Sequence, residues 1–81
     1  MIHKRLFISM NADLIKEPIL YNLVKDYDLV PNVRRADVSL SEAWIILELC
    51  GGSEDHIQEG IDYLLKLGAA VKPLQGDYVE S

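Results

Sequence analysis

The sequence predicts an α+β domain, a four-stranded antiparallel sheet with two helices packed on one of its faces. Three runs of residues alternate between apolar and polar side chains, as half-buried strands do. Two further runs repeat apolar residues every three or four positions, as amphipathic helices do. A short last strand completes the order βαββαβ, in which each βαβ half makes a right-handed crossover.

The size and composition are those of one domain with a small core. The chain has 81 residues, of which 49% are apolar and 26% are charged. Such a core gives modest stability, and pairing or a neighbouring domain would add to it. Cys50 is the single cysteine, so no disulfide can form within the chain, and a cytoplasmic location is favoured. There is no signal-peptide pattern, and no stretch approaches the ~20 apolar residues that cross a bilayer.

The charges argue against a nucleic-acid partner. Residues 1–40 contain six Lys or Arg and five Asp or Glu, whereas residues 41–81 contain two and eight, which gives the net charge of −5. Nucleic-acid-binding proteins neutralise phosphates with clustered basic residues, and this chain has no such cluster.

The first strand is predicted over residues 4–10, and the first helix from Pro18 to about residue 28. Residues 11–13 interrupt the alternation, and the two apolar residues after them should pack a loop onto the core. Proline suits the first helical position because its φ is pre-set and its missing N–H has no partner there. The helix residues expected to face the sheet are Leu20, Leu23, Val24 and Tyr27.

Pro31 and Asn32 are predicted to form the corner between that helix and the second strand. Pro31 disfavours helical φ/ψ at the preceding residue and lacks an N–H, so it should end the helix. Asn32 is short, polar and tolerant of left-handed φ/ψ, which suits either a turn or a ligand contact. The second strand then covers residues 33–40, with Arg34 and Arg35 on opposite faces.

The third strand, residues 44–50, is the most apolar and is expected at the centre of the sheet. Its fully apolar face contains Ile45, Leu47 and Leu49. Trp44 and Ile46 point to the face that the helices leave uncovered, where an apolar patch marks an interface. We therefore predict a homodimer with Trp44 and Ile46 in its interface.

The second helix should begin after Ser53, a good N-cap, and end before Gly68, a common C-terminal stop. Its inward-facing residues are predicted to be Ile57, Ile61, Leu64 and Leu65. The fourth strand, residues 69–74, contains Pro73, which cannot donate to a neighbouring strand and so belongs at a sheet edge. The elements together predict the ferredoxin-like sandwich with strand order 4-1-3-2 over residues 1–75, followed by a tail or linker at 76–81.

The reactive residues do not form a catalytic or metal-binding pattern. His3, His56 and Cys50 lack the spacing of metal ligands, and no neighbour in sequence would activate Cys50. We expect His3 at a fraying terminus, His56 on the surface of the first helical turn, and Glu48 solvated on the uncovered face. The chain is therefore predicted not to be an enzyme and to hold no metal and no cofactor.

Five segments of the chain resemble the NIL domain family, and the resemblance extends over about residues 4–75. The segments are residues 17–21, 28–36, 47–51, 61–64 and 68–74. The Asn-Ile-Leu motif that gives the family its name corresponds here to Asn32, Val33 and Arg34. Val33 is a conservative replacement, whereas Arg34 places a charge where the family has leucine.

The resemblance implies a regulatory or binding domain similar to amino-acid-binding ACT domains, with a tendency to pair. One branch of the family regulates methionine-importer ATPase subunits, and another precedes the cluster-binding part of iron–sulfur proteins linked to sulfur amino-acid synthesis. This chain resembles the second branch or a free-standing relative, although one cysteine cannot hold a cluster.

The same resemblance implies a site for a methionine-like ligand at Asn32 and Val33, where Arg34 or Arg35 could pair with a carboxylate. Two alternatives stay open: Asn32 only shapes the turn, or the domain is a ligand-free module for dimerisation or for docking an iron–sulfur or transporter partner.

Overall fold

A computed structural model describes residues 1–74, and the predicted tail at 76–81 lies outside them. The elements are β1 (Ile2–Asn11), α1 (Ala12–Ile15), α2 (Ile19–Lys25), β2 (Val30–Val38), β3 (Glu42–Gly51), α3 (Glu54–Leu67) and β4 (Ala70–Pro73). The strands form one antiparallel sheet in the order β2-β3-β1-β4. This is the predicted order 4-1-3-2 read from the other edge, so the predicted ferredoxin-like α+β fold is confirmed.

The core lies between one face of the sheet and the helices. It includes Leu6 and Ile8 from β1, Leu47 and Leu49 from β3, Leu23 from α2, and Ile57 and Leu64 from α3, none more than 1% exposed. The inward face of β3 and its central position are therefore as predicted. In α3, Ser53 caps the first turn by accepting the His56 N–H at 3.1 Å, and Gly68 ends the helix with φ of 102°. These two helix ends were also predicted correctly.

A short additional helix, α1, replaces the loop predicted after β1. The Asn11 side chain accepts the Leu14 N–H at 3.1 Å and so caps this four-residue helix. Leu14 is buried as predicted. The sequence signal for a break at residues 11–13 was thus the N-cap of a helix rather than the start of a loop.

The inward-facing residues of α2 differ from the prediction. Pro18 is its N-cap rather than its first residue, and Ile19 and Leu23 are the buried positions. Leu20 and Val24, which were predicted to face the core, are 36% and 52% exposed. Leu20 and Val24 are exposed because α2 packs over the edge strand β2. Only the row of side chains that contains Ile19 and Leu23 reaches the core. Leu65 of α3 is likewise 49% exposed, contrary to the prediction.

The corner before β2 is formed by Asp28, not by Pro31 and Asn32. The helix α2 ends at Lys25, well before the proline, and Asp28 takes the left-handed conformation with φ of 57°. Pro31 and Asn32 lie inside β2, opposite Leu49 and Glu48. Proline is tolerated there because β2 is an edge strand. The predictions that Pro31 ends the helix and that Asn32 shapes a turn were therefore wrong.

Leu29, directly after this corner, is fixed between two glycines. Its side chain is 1% exposed, and its N–H donates to the Leu23 carbonyl at 3.0 Å. A Cβ at Gly51 would lie 2.7 Å from Leu29 Cδ2, and a Cβ at Gly60 would overlap Leu29 Cδ1. The absence of side chains at Gly51 and Gly60 thus lets the end of β3 and the middle of α3 close around Leu29.

At the opposite edge, β4 continues beyond its last residue through the Leu74 N–H, which donates to the Arg5 carbonyl at 2.9 Å. Pro73 lies in this edge strand, as predicted. Within residues 1–74, no helix combines the length and the apolar character needed to cross a membrane.

Candidate functional site

The candidate site lies on the open face, which we define as the face of the sheet opposite the helices. Strand pairing places on it Arg5 and Phe7 of β1, Asn32, Arg35 and Asp37 of β2, and Trp44, Ile46, Glu48 and Cys50 of β3. Every ligand-binding and interface residue predicted from the sequence belongs to this face, except Val33. Val33 pairs with Leu47 and so lies on the helix side of β2.

A β-bulge in β2 brings both arginines to the open face. Val33 is opposite Leu47 and Arg35 is opposite Ile46, so Arg34 is an extra residue in the pairing. Strict alternation predicted Arg34 and Arg35 on opposite faces, and a bulge is the feature that breaks such alternation. The Arg34 guanidinium reaches Glu48 on the open face, and the predicted separation of the two arginines was therefore wrong.

Glu48 is the centre of a charged cluster rather than a freely solvated residue. Its carboxylate lies 3.7 Å from Arg34 Nη1, 3.7 Å from His3 Nδ1 and 4.0 Å from Arg5 Nη2. The Glu48 side chain is 23% exposed. Asn32 is directly across from it on β2. These separations exceed the 2.7–2.9 Å typical of charge-assisted hydrogen bonds, so the groups interact as ion pairs rather than through close hydrogen bonds.

An apolar patch adjoins this cluster. The rings of Phe7 and Trp44 stack with centroids 5.6 Å apart and planes inclined by 19°. Ile46 pairs with Phe7 across β1 and β3, and all three side chains are half-buried. Trp44 and Ile46 thus have the orientation that the interface prediction requires, and their role in an interface remains a prediction.

The structure brings together a cysteine and a histidine that lie 47 residues apart in the chain. Cys50 Sγ is 3.0 Å from His3 Nδ1, because His3 pairs with Cys50 between β1 and β3. His3 is therefore part of a strand and not of a fraying terminus. Burial raises the pKa of the Cys50 thiol, and the Glu48 carboxylate raises this pKa further. The thiol stays protonated near neutral pH, so the pair does not constitute an activated nucleophile.

His56 has a structural role that the sequence did not indicate. Its Nδ1 accepts the Gly52 N–H at 2.9 Å, so its Nε2 carries the proton and donates to the Tyr27 carbonyl at 2.6 Å. The imidazole thereby ties the start of α3 to the end of the α2 segment. The prediction of a plain surface residue missed this because Tyr27 is 29 residues away.

The helix side of the sheet also has a cavity. A half-open apolar cavity of about 190 Å³ lies on the helix side, and its lining includes Ile15, Leu20, Val38 and Ile45. Among residues 1–74, no three His, Cys, Asp or Glu side chains are grouped so that they could hold a metal ion.

Comparisons with known proteins agree on the fold and the family. The family model described as the NIL domain matches residues 4–73. The chain is 30% identical over 67 residues to the L-aspartate semialdehyde sulfurtransferase iron-sulfur subunit of Methanocaldococcus jannaschii, a match covering 83% of this chain. This chain spans about half of that relative, since the match covers 50% of its length.

A solved structure with the same fold is the C-terminal domain of an ABC transporter ATP-binding protein from Enterococcus faecalis. The TM-score is 0.72, and the alignment covers 91% of this chain and 86% of that domain. The sequence identity is 18%, so this similarity concerns the fold alone.

Proposed function

The chain belongs to the NIL domain family, and we propose that it is a non-catalytic regulatory domain that binds a sulfur-containing amino acid on its open face. The observation that carries the proposal is the position of Asn32 across from Glu48, with the Arg34 guanidinium 3.7 Å from that carboxylate. A cation, an anion and an amide are thereby grouped at one place on the sheet.

These three groups suit the common part of every amino acid. Arg34, with Arg35 beside it, can hold the α-carboxylate through paired N–H donors. The Glu48 carboxylate can accept hydrogen bonds from the α-ammonium group. The Asn32 side-chain amide can bind either the α-carboxylate or the α-ammonium group, because it has both a donor and an acceptor. Arg34 and Glu48 form an ion pair at 3.7 Å, which the carboxylate and ammonium groups of a bound amino acid would replace.

The apolar patch next to the cluster suits the side chain of a methionine-like ligand. Ile46 is opposite Arg35, and it lies on the same face of β3 as Glu48, two residues away. An aliphatic or thioether side chain bound against Ile46 would therefore be removed from contact with water, which favours binding. The half-buried rings of Trp44 and Phe7 extend this surface. The nature of the relative in Methanocaldococcus jannaschii, an iron–sulfur subunit of a sulfurtransferase, supports a role close to sulfur metabolism. We further propose a cytoplasmic location and an iron–sulfur or transporter partner domain.

The experiment is a thermal-shift and calorimetric panel of amino acids, with methionine and homocysteine first. A ligand at a hundredfold excess over its Kd stabilises the folded state by about 2.7 kcal/mol, which is a large shift for a small domain. Asn32→Ala and Arg34→Gln should weaken binding while unfolding free energy changes by less than about 1 kcal/mol. Lys16→Gln, an exposed change away from the open face, is the control.

Two outcomes would contradict the proposal. One is the absence of binding by the wild-type chain to every amino acid tried. The other is unchanged affinity in the Asn32 and Arg34 variants, which would place the ligand elsewhere.

The second candidate is a ligand-free module that dimerises or docks a partner domain through Trp44 and Ile46. It is favoured by the uncovered apolar patch around the Phe7–Trp44 stack. In that case the amino-acid panel gives no shift, and Trp44→Glu abolishes association without unfolding the chain. Sedimentation of the wild type and of Trp44→Glu separates this candidate from the first.

A further inference from the structure

The cavity of about 190 Å³ on the helix side has a floor made by three strands of the sheet. Met10 of β1, Ala43 of β3 and Val38 of β2 line it, and they are paired with one another in a row across the sheet. Ala43 is in the middle of this row and has the smallest side chain, so the floor is deepest there. Met10 and Ala43 are buried and form the inner end of the cavity.

The walls of the cavity are apolar and come from the first two helices. Leu14 and Ile15 belong to α1, and Ile19 and Leu20 belong to α2. Leu20 is 36% exposed, so part of this apolar lining remains open to solvent. A water molecule needs polar partners to stay in such a cavity, and these walls offer few. A small hydrocarbon group therefore suits the cavity better than water does.

Among the described residues that line the cavity, Glu17 alone carries a charge. Glu17 lies between α1 and α2, and it is exposed, so it marks the mouth of the cavity rather than its floor. Within residues 1–74 its carboxylate makes no ion pair. A cation at the mouth can pair with this carboxylate while the group attached to it enters the cavity. An anion would be repelled there, because no lining residue is basic.

We propose that this cavity is a ligand site separate from the open face, and that it binds a small primary amine without a carboxylate group. The ammonium group pairs with Glu17, and the hydrocarbon group lies against Ala43. Because a cavity of about 150 Å³ can hold benzene, this one has room for about six to eight non-hydrogen atoms. An amino acid does not suit the site, since its carboxylate would face Glu17 without a basic partner. The inference is therefore independent of the ligand proposed for the open face.

The test is an NMR titration of the isotope-labelled chain with three probes of similar shape and different charge: benzylamine, benzyl alcohol and benzoate. Benzylamine is a cation at neutral pH, and its Kd should be on the order of 1 mM, as expected for about eight non-hydrogen atoms. Benzyl alcohol should bind about two- to fivefold more weakly, and benzoate more weakly still. The amide signals of Leu14, Val38 and Ala43 should shift, whereas those of Asn32 and Glu48 on the open face should not.

Two variants with matched controls separate the charge from the cavity. Glu17→Gln should lower the affinity for benzylamine to that for benzyl alcohol, whereas Glu59→Gln, an exposed change on α3, should have no effect. Ala43→Leu should fill the cavity and abolish binding of both probes. Ala36→Leu makes the same change at an exposed position on the same face of the sheet, outside the lining, and should leave both affinities unchanged. Circular dichroism checks the fold, and the result for the exposed Glu17 holds whether or not Ala43→Leu folds.

Four results would overturn the inference. They are no binding of benzylamine by the wild type, binding of benzoate as tight as that of benzylamine, unchanged affinity for benzylamine in a folded Ala43→Leu variant, and shifts confined to the open face. Binding of benzylamine without binding of any amino acid would refute the proposed function alone, and the reverse result would refute this inference alone.

Discussion

Replacing Gly60 with alanine should destabilise this domain, although alanine is normally the better residue inside a helix. The new methyl group would overlap Leu29 Cδ1 and would lie 3.2 Å from Leu23 Cδ2 and 3.4 Å from Leu49 Cδ2. These three leucines are at most 1% exposed. Leu29 cannot turn away easily, because its other methyl group already fills the space beside Gly51.

The magnitude follows from two opposing effects. Alanine in place of glycine favours a helix by about 1 kcal/mol. Forcing one more methyl group into a close-packed core costs about 1–3 kcal/mol. The net loss is therefore up to about 2 kcal/mol, a sizeable part of the total for a chain stabilised by roughly 0.05–0.15 kcal/mol per residue. Each 1 kcal/mol lowers Tm by about 4–8 °C in a domain of this length.

The assay is urea denaturation of Gly60→Ala in two backgrounds, the wild type and Leu29→Val. The shorter valine removes the methyl group that meets position 60, so Gly60→Ala should there stabilise the domain by about the helix-propensity term of 1 kcal/mol. The reasoning is refuted if Gly60→Ala stabilises the wild type by that full amount, or if its effect is the same in both backgrounds.

Three further outcomes can be measured by urea denaturation or by thiol reactivity. His56→Ala should cost about 1 kcal/mol in urea denaturation because the exposed Gly52 N–H and the half-buried Tyr27 carbonyl lose their ring partner, whereas Glu59→Ala on the same helix should stay within about 0.5 kcal/mol. The Cys50 thiol, whose pKa is raised by burial and then by Glu48, should react slowly with a disulfide reagent at pH 8, and Glu48→Gln should speed this reaction. Since the raised pKa means that the folded state holds the thiol proton more tightly, the contribution of Cys50 to stability should be constant below its ordinary pKa of 9.0 and decline above it. If the Cys50 thiol of the folded chain reacts with the disulfide reagent as fast as that of the urea-unfolded chain, burial does not protect it.

The sequence predicted well those elements whose signals are local. The alternation in β3 and the caps of α3 at Ser53 and Gly68 depend on residues within a few positions of one another. The strand order followed from the sequence of elements and from crossover handedness. These features required no knowledge of what packs against them.

Long-range packing explains the predictions that were wrong. The helical period in α2 is compatible with two rows of apolar residues facing the core. Because α2 packs over an edge strand, only one row does so, and Leu23 is buried whereas Val24 is exposed. The bulge that moved Arg34 to the open face depends on pairing with β3, which no local pattern specifies. The contacts of His3 with Cys50 and of His56 with Tyr27 join residues 47 and 29 positions apart. The face that holds the candidate site was therefore predictable, and its charged cluster was not.

The order of the strands also determines how amide protons exchange with solvent. Residues 6–9 of β1 and residues 43–50 of β3 have a paired strand on each side, or nearly so, and their amides should exchange only when the whole domain unfolds. β2 has one neighbour, and half of its amides point outward, where deuterium can replace the proton without any opening of the core. Exchange should therefore report global unfolding at the centre of the sheet and local exposure at its β2 edge.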